Sequence, residues 1–432
     1  MDSIGKQHTW LEKLLRFTEK LIPKRLYQLG QPTYHFLLAL LGALVYRFPS
    51  KDIHVIFVTG TKGKTTTVEL INAILEKNGY TTALASTLRF KVGETSERNL
   101  YKMTLRGRFF VQRFLRKAVA AKCTYAIVEM TSESVTQSRH RFISPNALVF
   151  TNLSPEHIES HGSFENYVQA KLKLRDAVEH SPKKDAVVIA NIDDEHGKDF
   201  LKVSRAQGIP FSLQDVTYTT TPSGLTIMYK NISIQSKLEG VFNVQNILAA
   251  IKLGEYLEIP LDIIKQGIEN VSLIRGRVEH VSRGQLFDVV VDYAHTPDSL
   301  EKLYETFAHK KMICVLGNTG GGRDTWKRPE MGRIAEEYCE NVILTNEDPY
   351  DEDPEQIVLD MKEGMNKEPT ICMDRRKAIH EACVRAHKKP IETAVIITGK
   401  GTDPYIMEAH GKKTPWDDAT VVREELDKII SV

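Results

Sequence analysis

The chain has 432 residues, 26% of them charged and 41% hydrophobic, the proportions of an ordinary globular protein long enough for two or three domains. Lys and Arg (58) almost balance Asp and Glu (56), so no global field favours nucleic acid or an anionic membrane. Five dispersed cysteines, Cys123, Cys314, Cys339, Cys372 and Cys383, form no C-x-x-C pair. That argues against a zinc ribbon or a disulfide framework and for a reducing cytoplasm.

The first pattern is "TWLEKLLRFTEKLIPK". Trp10, Leu11, Leu14, Leu15 and Leu21 alternate with Lys13, Arg16, Lys20 and Lys24, as in a basic amphipathic helix ended near Pro23. The apolar run "FLLALLGALVY" that follows is far short of the roughly 20 residues that span a bilayer. It also lacks the small-residue cleavage site of a signal peptide. Two readings stay open: a helical layer packed on the next domain, or a foot lying on a membrane surface.

From residue 54 the rhythm changes. "HVIFVTG" reads as a buried strand, "TTTVELINAILEKNGY" as a helix closed by Gly79, and "TTALAST" as a strand. "LRGRFFVQRFLRKAVAAKC" follows as a helix, "YAIVEMTS" and "NALVFTNLS" as strands, and "ENYVQAKLKLRDAVEH" as a helix. Such alternation predicts an α/β domain with a mainly parallel sheet covered on both faces, its ligands at the carboxyl ends of the strands. From about Ile274, "MICVLGN", "RPEMGRIAEEYC", "NVILTNE", "IVLDMKEG" and "AVIITGKG" predict a second, smaller α/β domain of Rossmann-like type. The expected division is a helical segment at 1–50, a central P-loop-like ATPase domain at 51–273 and a C-terminal domain at 274–432.

The stretch "VTGTKGKTTT" lies between the first strand and its helix. A conventional P-loop, G-x-x-x-x-G-K-[ST], needs a glycine five residues before Gly63, where Val58 stands. The shorter loop still turns backbone N–H groups and a helix N-terminus toward a phosphate. Lys64 can reach the terminal phosphates and the Thr65 hydroxyl can sit on Mg²⁺. Glu129 closes one following strand and His157 lies just past the next, on the same rim of the sheet. A carboxylate and an imidazole there suit Mg²⁺ or Mn²⁺ held with nucleotide phosphates.

The ordered series "GTKGKTTT", "VEMTSE", "TNLSPEHIESHGSFENYVQAK", "GVFNVQNILAA", "GRVE", "VDYAHTPDSLEKL", "GGGRDTWKRPEMG", "DRRKAI" and "GKGTDPY" resembles the Mur ligases. Among them it is most similar to the MurE group, the UDP-N-acetylmuramoyl-dipeptide:amino-acid ligases of peptidoglycan synthesis. The resemblance runs from about Val55 to the C-terminus, and the family's own loop is the short G-T-x-G-K-[ST] form. It implies a cytoplasmic, ATP-dependent amide ligase. A substrate carboxylate takes the γ-phosphoryl group of ATP, and an incoming amine then displaces phosphate from the acyl phosphate.

The resemblance also implies roles. Gly60, Thr61, Gly63, Lys64, Thr65 and Thr66 would bind the ATP phosphates, with Thr65 and Glu129 on Mg²⁺. His157 and a carbamylated Lys171 would hold a second Mg²⁺. Asn243 and Asn246 would lie near the base and the metal, although Asn243 reads equally as a helix N-cap. Arg277 would meet the phosphates and Asp292 the ribose. Lys64, His157, Lys171 and Arg277 are thus the expected catalytic residues. Thr104, Glu347, Asp348 and Asp403 are the candidate substrate contacts, and Arg323 in the glycine-rich turn is a weaker candidate.

Two departures bear on the substrates. A typical MurE ligase begins with a UDP-gripping domain of about 80 to 100 residues, whereas here the loop strand starts near residue 53. Either the UDP of a UDP-muramoyl peptide is held differently, or the acceptor is a related carboxylate with another handle, such as a lipid if the first helix is a membrane foot; "KMTLRG" stands where threonine-rich contacts are usual. Diaminopimelate-adding relatives carry Asp-Asn-Pro-Arg, but this chain has Glu347, Asp348, Pro349 and Tyr350. Tyrosine lacks the cationic fork of arginine, which leaves diaminopimelate and lysine both open. The alternatives are a cyanophycin- or pseudomurein-type ligase, a folate polyglutamylase, a Mur-like amidase partner (its Cys₄ zinc insert is absent), and a non-catalytic envelope scaffold.

Overall fold

The computed structural model describes residues 24–430, apart from 157, 222 and 323. The amphipathic stretch from Trp10 to Leu21, His157 and Arg323 lie outside the described residues.

Helix α1 (Lys24–Val45) leads into an eight-stranded sheet. Its strands are β1 (His54–Thr59), β2 (Thr82–Ala85), β3 (Arg89–Val92), β4 (Thr95–Arg98), β5 (Tyr125–Glu129), β6 (Ala147–Phe150), β7 (Val187–Asn191) and β8 (Gln207–Phe211). Their order is β4-β3-β2-β5-β1-β6-β7-β8. All pairings are parallel except the antiparallel edge β2-β3-β4. Strand β1 is central, and its residues divide between the two faces. Val55 and Phe57 pack with helices α3 (Arg108–Ala120) and α4 (Phe164–Glu179). Ile56 and Val58 pack with α2 (Lys64–Lys77), α5 (Val241–Tyr256) and α6 (Leu261–Glu269). A strand buried on both faces has a continuous apolar sequence, which is why "HVIFVT" shows no polar alternation.

A three-stranded antiparallel sheet, β9 (Thr217–Thr221), β10 (Gly224–Tyr229) and β11 (Ile232–Ser236), joins the second of those cores through Leu225, Ile227 and Ile234. The chain then builds a six-stranded unit. Its strands are β12 (Glu279–His280), β13 (Asp288–Val291), β14 (Lys311–Leu316), β15 (Cys339–Leu344), β16 (Thr370–Ile371) and β17 (Thr393–Ile397), in the order β12-β13-β17-β14-β15-β16. Helices α7 (Pro297–Phe307), α8 (Lys327–Tyr338) and α9 (Pro354–Lys362) cover one face. Helices α10 (Arg375–His387) and α11 (Asp418–Ile430) cover the other. A short hairpin, β18 (Tyr405–Met407) with β19 (Lys413–Pro415), flanks this unit.

The cysteines need a correction. Cys314 and Cys339 form a disulfide, Cα–Cα 6.1 Å, while Cys123, Cys372 and Cys383 are free. The pair is 25 residues apart and has no spacing motif; parallel pairing of β14 with β15 brings it together.

Helix α1 buries His35, Ala39 and Ala43 where it packs on α3, and Arg108 donates to His35 Nδ1. Leu37, Leu41, Leu44 and Val45 remain exposed. No helix among the described residues is long and apolar enough to cross a membrane.

Burial, reinforced by Arg108 and Arg139, lowers the pKa of His35 from 6.5 to about 4. Burial, then Arg141 and Lys173, lowers that of His140 to about 3. Both rings fold neutral, so between pH 6.5 and about 4 the unfolded chain binds more protons than the folded one. Stability therefore falls as the pH falls through that window. The melting temperature is expected to drop on acidification from pH 7 to 5, and His35→Gln should flatten the slope. A slope identical in that variant rules out His35 as a contributor.

Candidate active site

The site begins where β1 ends. Gly60 has φ +149° and Gly63 φ +79°; a Cβ would collide with Thr151 Oγ1 at the first and with Asn246 Oδ1 at the second. Helix α2 starts at Lys64 with Gly63 as an N-cap that makes no side-chain bond, which leaves its first amides to face an anion. Lys64 curls back over the loop, donating to the carbonyls of Gly60 (3.0 Å) and Thr61 (2.8 Å). Burial lowers its pKa, with Glu129 and Glu156 opposing the shift.

A chain of short contacts leaves the loop. Thr65 Oγ1 donates to Glu129 Oε2 at 3.0 Å. Glu129 also accepts from Thr87 through its N–H (2.9 Å) and its hydroxyl (3.0 Å). The Thr87 hydroxyl in turn lies 2.9 Å from that of Thr104. Three positions expected from sequence, Thr65, Glu129 and Thr104, are thus linked through Thr87, which sequence reasoning missed. Its signal was its place just past the end of a strand neighbouring β5.

Behind the loop, Lys171 is 1% exposed and donates to the Gly60 carbonyl at 2.6 Å. Its ammonium lies 4.8 Å from the centre of the Tyr167 ring, and Tyr167 Oη is 2.9 Å from Thr61 Oγ1. Burial, followed by the charge of Lys64, lowers the Lys171 pKa well below the ordinary lysine value. Glu156, also missed, is 3.2 Å from Lys62 Nζ and 3.0 Å from His295 Nε2. It joins the eight-stranded unit to the six-stranded one, and the acid-histidine pair "EH" was its only signal.

Helix α5 places Asn246 beside Gly63, with Asn243 bonded behind it. The N-cap of α5 is Gly240 rather than Asn243. Asn243 instead donates to the Glu239 carbonyl at 2.6 Å and accepts from Asn246 at 2.9 Å. From the six-stranded unit, the Arg277 guanidinium stands 4.5 Å over the Tyr293 ring. Asp292 accepts from the N–H groups of Val278 (2.8 Å) and Ala294 (2.6 Å). Burial raises its pKa against the pull of Arg277.

Most of these groups face one cavity of about 390 Å³, whose walls include Thr61, Thr66, Asn243, Arg277, Asp292 and Asp403; Lys171 and Tyr167 are not among its walls. Glu347 and Asp348, expected at the substrate, stand behind its wall. Asp348 is taken up by Lys400, which lies 2.9 Å from both carboxylate oxygens, and by the Met407 N–H at 2.8 Å. Glu347 accepts from Thr319 at 2.9 Å; burial, then the charge of Asp348, raises its pKa.

The Thr65 hydroxyl and the Glu129 carboxylate are hard oxygen donors, the type Mg²⁺ prefers. Among the described residues no three His, Cys, Asp or Glu side chains cluster as a metal site. Phosphate oxygens and water would therefore complete such a shell, as is usual for nucleotide-bound Mg²⁺.

A glycine-shaped loop at a helix N-terminus, opening onto a second α/β unit that brings its own arginine and aspartate to the same cavity, suits an enzyme that spends ATP to activate another substrate. Comparison with known proteins narrows that class. The chain belongs to the Mur ligase family: residues 58–254 match the Mur ligase middle domain, and residues 276–401 match the Mur ligase, glutamate ligase domain. It is 35% identical over 415 residues to the UDP-N-acetylmuramoyl-L-alanyl-D-glutamate–2,6-diaminopimelate ligase of Syntrophomonas wolfei, covering 92% of this chain and 83% of that one. It is 33% identical over 433 residues to the UDP-N-acetylmuramyl-tripeptide synthetase of Roseiflexus, again 92% and 83%. A solved diaminopimelate ligase of this type superposes with a TM-score of 0.60 at 29% identity, covering 88% of this chain and 79% of that one. Folylpolyglutamate synthase of Mycobacterium tuberculosis with ADP gives 0.67 at 16%, covering 91% and 94%, a likeness of fold alone. The chain is an ATP-dependent ligase that forms amide bonds and requires Mg²⁺.

Proposed function

We propose that this ligase joins an amino acid to a muramoyl-dipeptide acceptor in peptidoglycan precursor synthesis, through an acyl phosphate. The observation that carries the reading is the linked series Thr65–Glu129–Thr87–Thr104, which runs from the phosphate loop to the acceptor position. The names of the relatives supply the substrate class. Lys64 and the α2 amides hold the ATP phosphates, and Thr65 and Glu129 hold Mg²⁺. When bound, Mg²⁺ neutralises charge on the transferring phosphoryl group. Arg277 and Asp292 reach the nucleotide from the six-stranded unit, so closure of the two units excludes water from the acyl phosphate. We place the functional boundaries at 51–273 and 274–432, with the segment that carries α1 as an attachment before them.

Lys171 is the proposed carbamate. As an ammonium it repels a cation, but its buried, depressed pKa favours the neutral amine. That amine attacks CO₂, an N–C bond forms and a proton leaves, which converts the cation into an anion able to support a second Mg²⁺ with His157. ADP formation with UDP-muramoyl dipeptide, screened against diaminopimelate, lysine and ornithine, tests the overall reading. We expect turnover only when acceptor and amino acid are both present; no ADP with any pair leaves a scaffold role.

The exposed Leu37, Leu41, Leu44 and Val45 of α1, with Arg47 and Lys51 beyond its end, support a peripheral contact with an anionic membrane. The chain is expected to co-sediment with phosphatidylglycerol vesicles, and Leu37→Glu/Leu41→Glu to lose that binding. Equal sedimentation with neutral vesicles, or an unaffected variant, removes the contact.

A further inference from the structure

The chain passes from the first unit to the second in one tight turn. Ile274 is buried in a core of the eight-stranded unit and Val278 in a core of the six-stranded one, so Arg275, Gly276 and Arg277 make the crossing. The Arg277 N–H closes the turn on the Ile274 carbonyl at 3.0 Å. Gly276 has φ +63°, and a Cβ there would stand 2.8 Å from the Thr402 nitrogen. Val278 is also left-handed, at φ +48°, a conformation that a β-branched residue rarely adopts. Such a backbone persists only where its surroundings hold it.

Two carboxylates hold it. Asp292 accepts from the Val278 N–H at 2.8 Å. Glu279, the first residue of β12, is fully buried, and its Oε2 accepts from the Gly276 N–H at 2.9 Å and from Arg275 Nε at 3.1 Å. Its Oε1 accepts from Arg423 of α11 at 2.9 Å. Glu279 does not line the cavity, but Arg277 does. The Arg277 guanidinium lies over the Tyr293 ring and donates to the Gly276 carbonyl at 2.8 Å, and the Tyr293 N–H donates to the same carbonyl at 3.0 Å. Gly276 is thus gripped at its N–H by Glu279, while its C=O carries the guanidinium.

We infer that Glu279 is a positioning residue for the phosphoryl transfer: it holds the Gly276 amide and thereby aims Arg277 at the nucleotide phosphates. The inference rests on the ligase reading above, in which Arg277 reaches the nucleotide. The competing account makes Glu279 a buried ion-pair partner for Arg275 and Arg423 and nothing more. Of its three donors, only the Gly276 N–H belongs to the backbone of the crossing turn. Gly276 is itself buried, and a buried amide without an acceptor is unfavourable. Withdrawing the carboxylate therefore turns that peptide toward another partner, and the carbonyl that carries the guanidinium moves with it. A displacement of about 1 Å in a positioned group costs on the order of a hundredfold in rate.

Two conservative variants separate the accounts. Glu279→Asp keeps the charge for both arginines but withdraws the acceptor from Gly276 by one methylene, whereas Glu279→Gln keeps an acceptor and loses the charge. The kcat for ADP formation and the melting temperature are measured for both, for Arg277→Ala and for Glu279→Asp/Arg277→Ala. Glu279→Asp is expected to lower kcat about tenfold or more, and Glu279→Gln to stay within about threefold of wild type although its melting temperature falls further. The double variant should be no slower than Arg277→Ala alone, because the brace then has nothing to aim. A lower kcat in Glu279→Gln than in Glu279→Asp, or losses that multiply in the double variant, overturn the inference. So does wild-type turnover in Arg277→Ala. If the wild type forms no ADP with any acceptor, the ligase reading fails separately, and the same cycle read on the dissociation constant of ATP-Mg²⁺ decides. A Glu279→Asp loss that vanishes in the Arg277→Ala background supports the inference there, and independent losses overturn it.

Discussion

Replacing Lys64 by alanine is expected to lower kcat/KM for ADP formation at least about a thousandfold, the scale on which a charge on a transferring phosphoryl group acts. The fold should survive. The Lys64 ammonium bonds to the carbonyls of Gly60 and Thr61, both in a loop whose shape is fixed by other contacts. The Thr61 N–H donates to the Asn152 carbonyl at 2.8 Å and the Lys62 N–H to Asn152 Oδ1 at 2.9 Å, while Thr151 Oγ1 donates to the Lys62 carbonyl at 2.7 Å. Burial already disfavours the Lys64 charge, so its removal costs little of the fold. The decisive pair of measurements is turnover and the thermal shift produced by ATP-Mg²⁺. Both should be lost in Lys64→Ala, while the melting temperature without nucleotide stays within a few degrees of wild type. Turnover within about tenfold of wild type would remove Lys64 from the phosphate site.

The sequence made the local part of this site legible because strand and helix periods are local properties. "HVIFVT" could be read as a central strand since both its faces are buried, and the short loop with its helix follows directly from it. Glu129 could be placed on the rim because it closes the neighbouring strand. What stayed hidden depends on partners distant in the chain. Glu156 meets His295, 139 residues later, and Lys102 meets Asp348, 246 residues later; no spacing rule covers either. Asp348 looked like a substrate contact as a bare letter beside Tyr350. The fold instead gives it a buried lysine partner, Lys400, at 2.9 Å. The Cys314–Cys339 pair escaped for the same reason, since it is defined by which strands become neighbours. Asn243 shows a finer limit: its type fits an N-cap, but Gly240, φ +85°, starts the helix earlier and leaves Asn243 free to brace Asn246.

The second large effect is expected at Lys171. Lys171→Ala should lower kcat at least about a hundredfold, and added bicarbonate should leave that variant unchanged. The wild type, assayed in CO₂-depleted buffer, should gain activity when bicarbonate is returned. The competing account is purely structural: a buried ammonium donating to the Gly60 carbonyl at 2.6 Å tightens the phosphate loop, and its loss loosens it. The two accounts differ in charge. A structural ammonium keeps its proton, whereas a carbamate forms only from the neutral amine, the form toward which burial and the nearby Lys64 both shift this side chain. Labelling with ¹³C-bicarbonate separates them, because a carbamate gives a carbonyl resonance in the wild type that Lys171→Ala lacks. The same variant also separates stability from chemistry. If the loop account holds, the melting temperature and nucleotide binding fall together with kcat. If the carbamate account holds, ATP still binds and the phosphoryl transfer alone is slow. Near-wild-type turnover in Lys171→Ala, or no bicarbonate response and no carbamate signal in the wild type, excludes the carbamate and leaves Lys171 as a brace beneath Gly60.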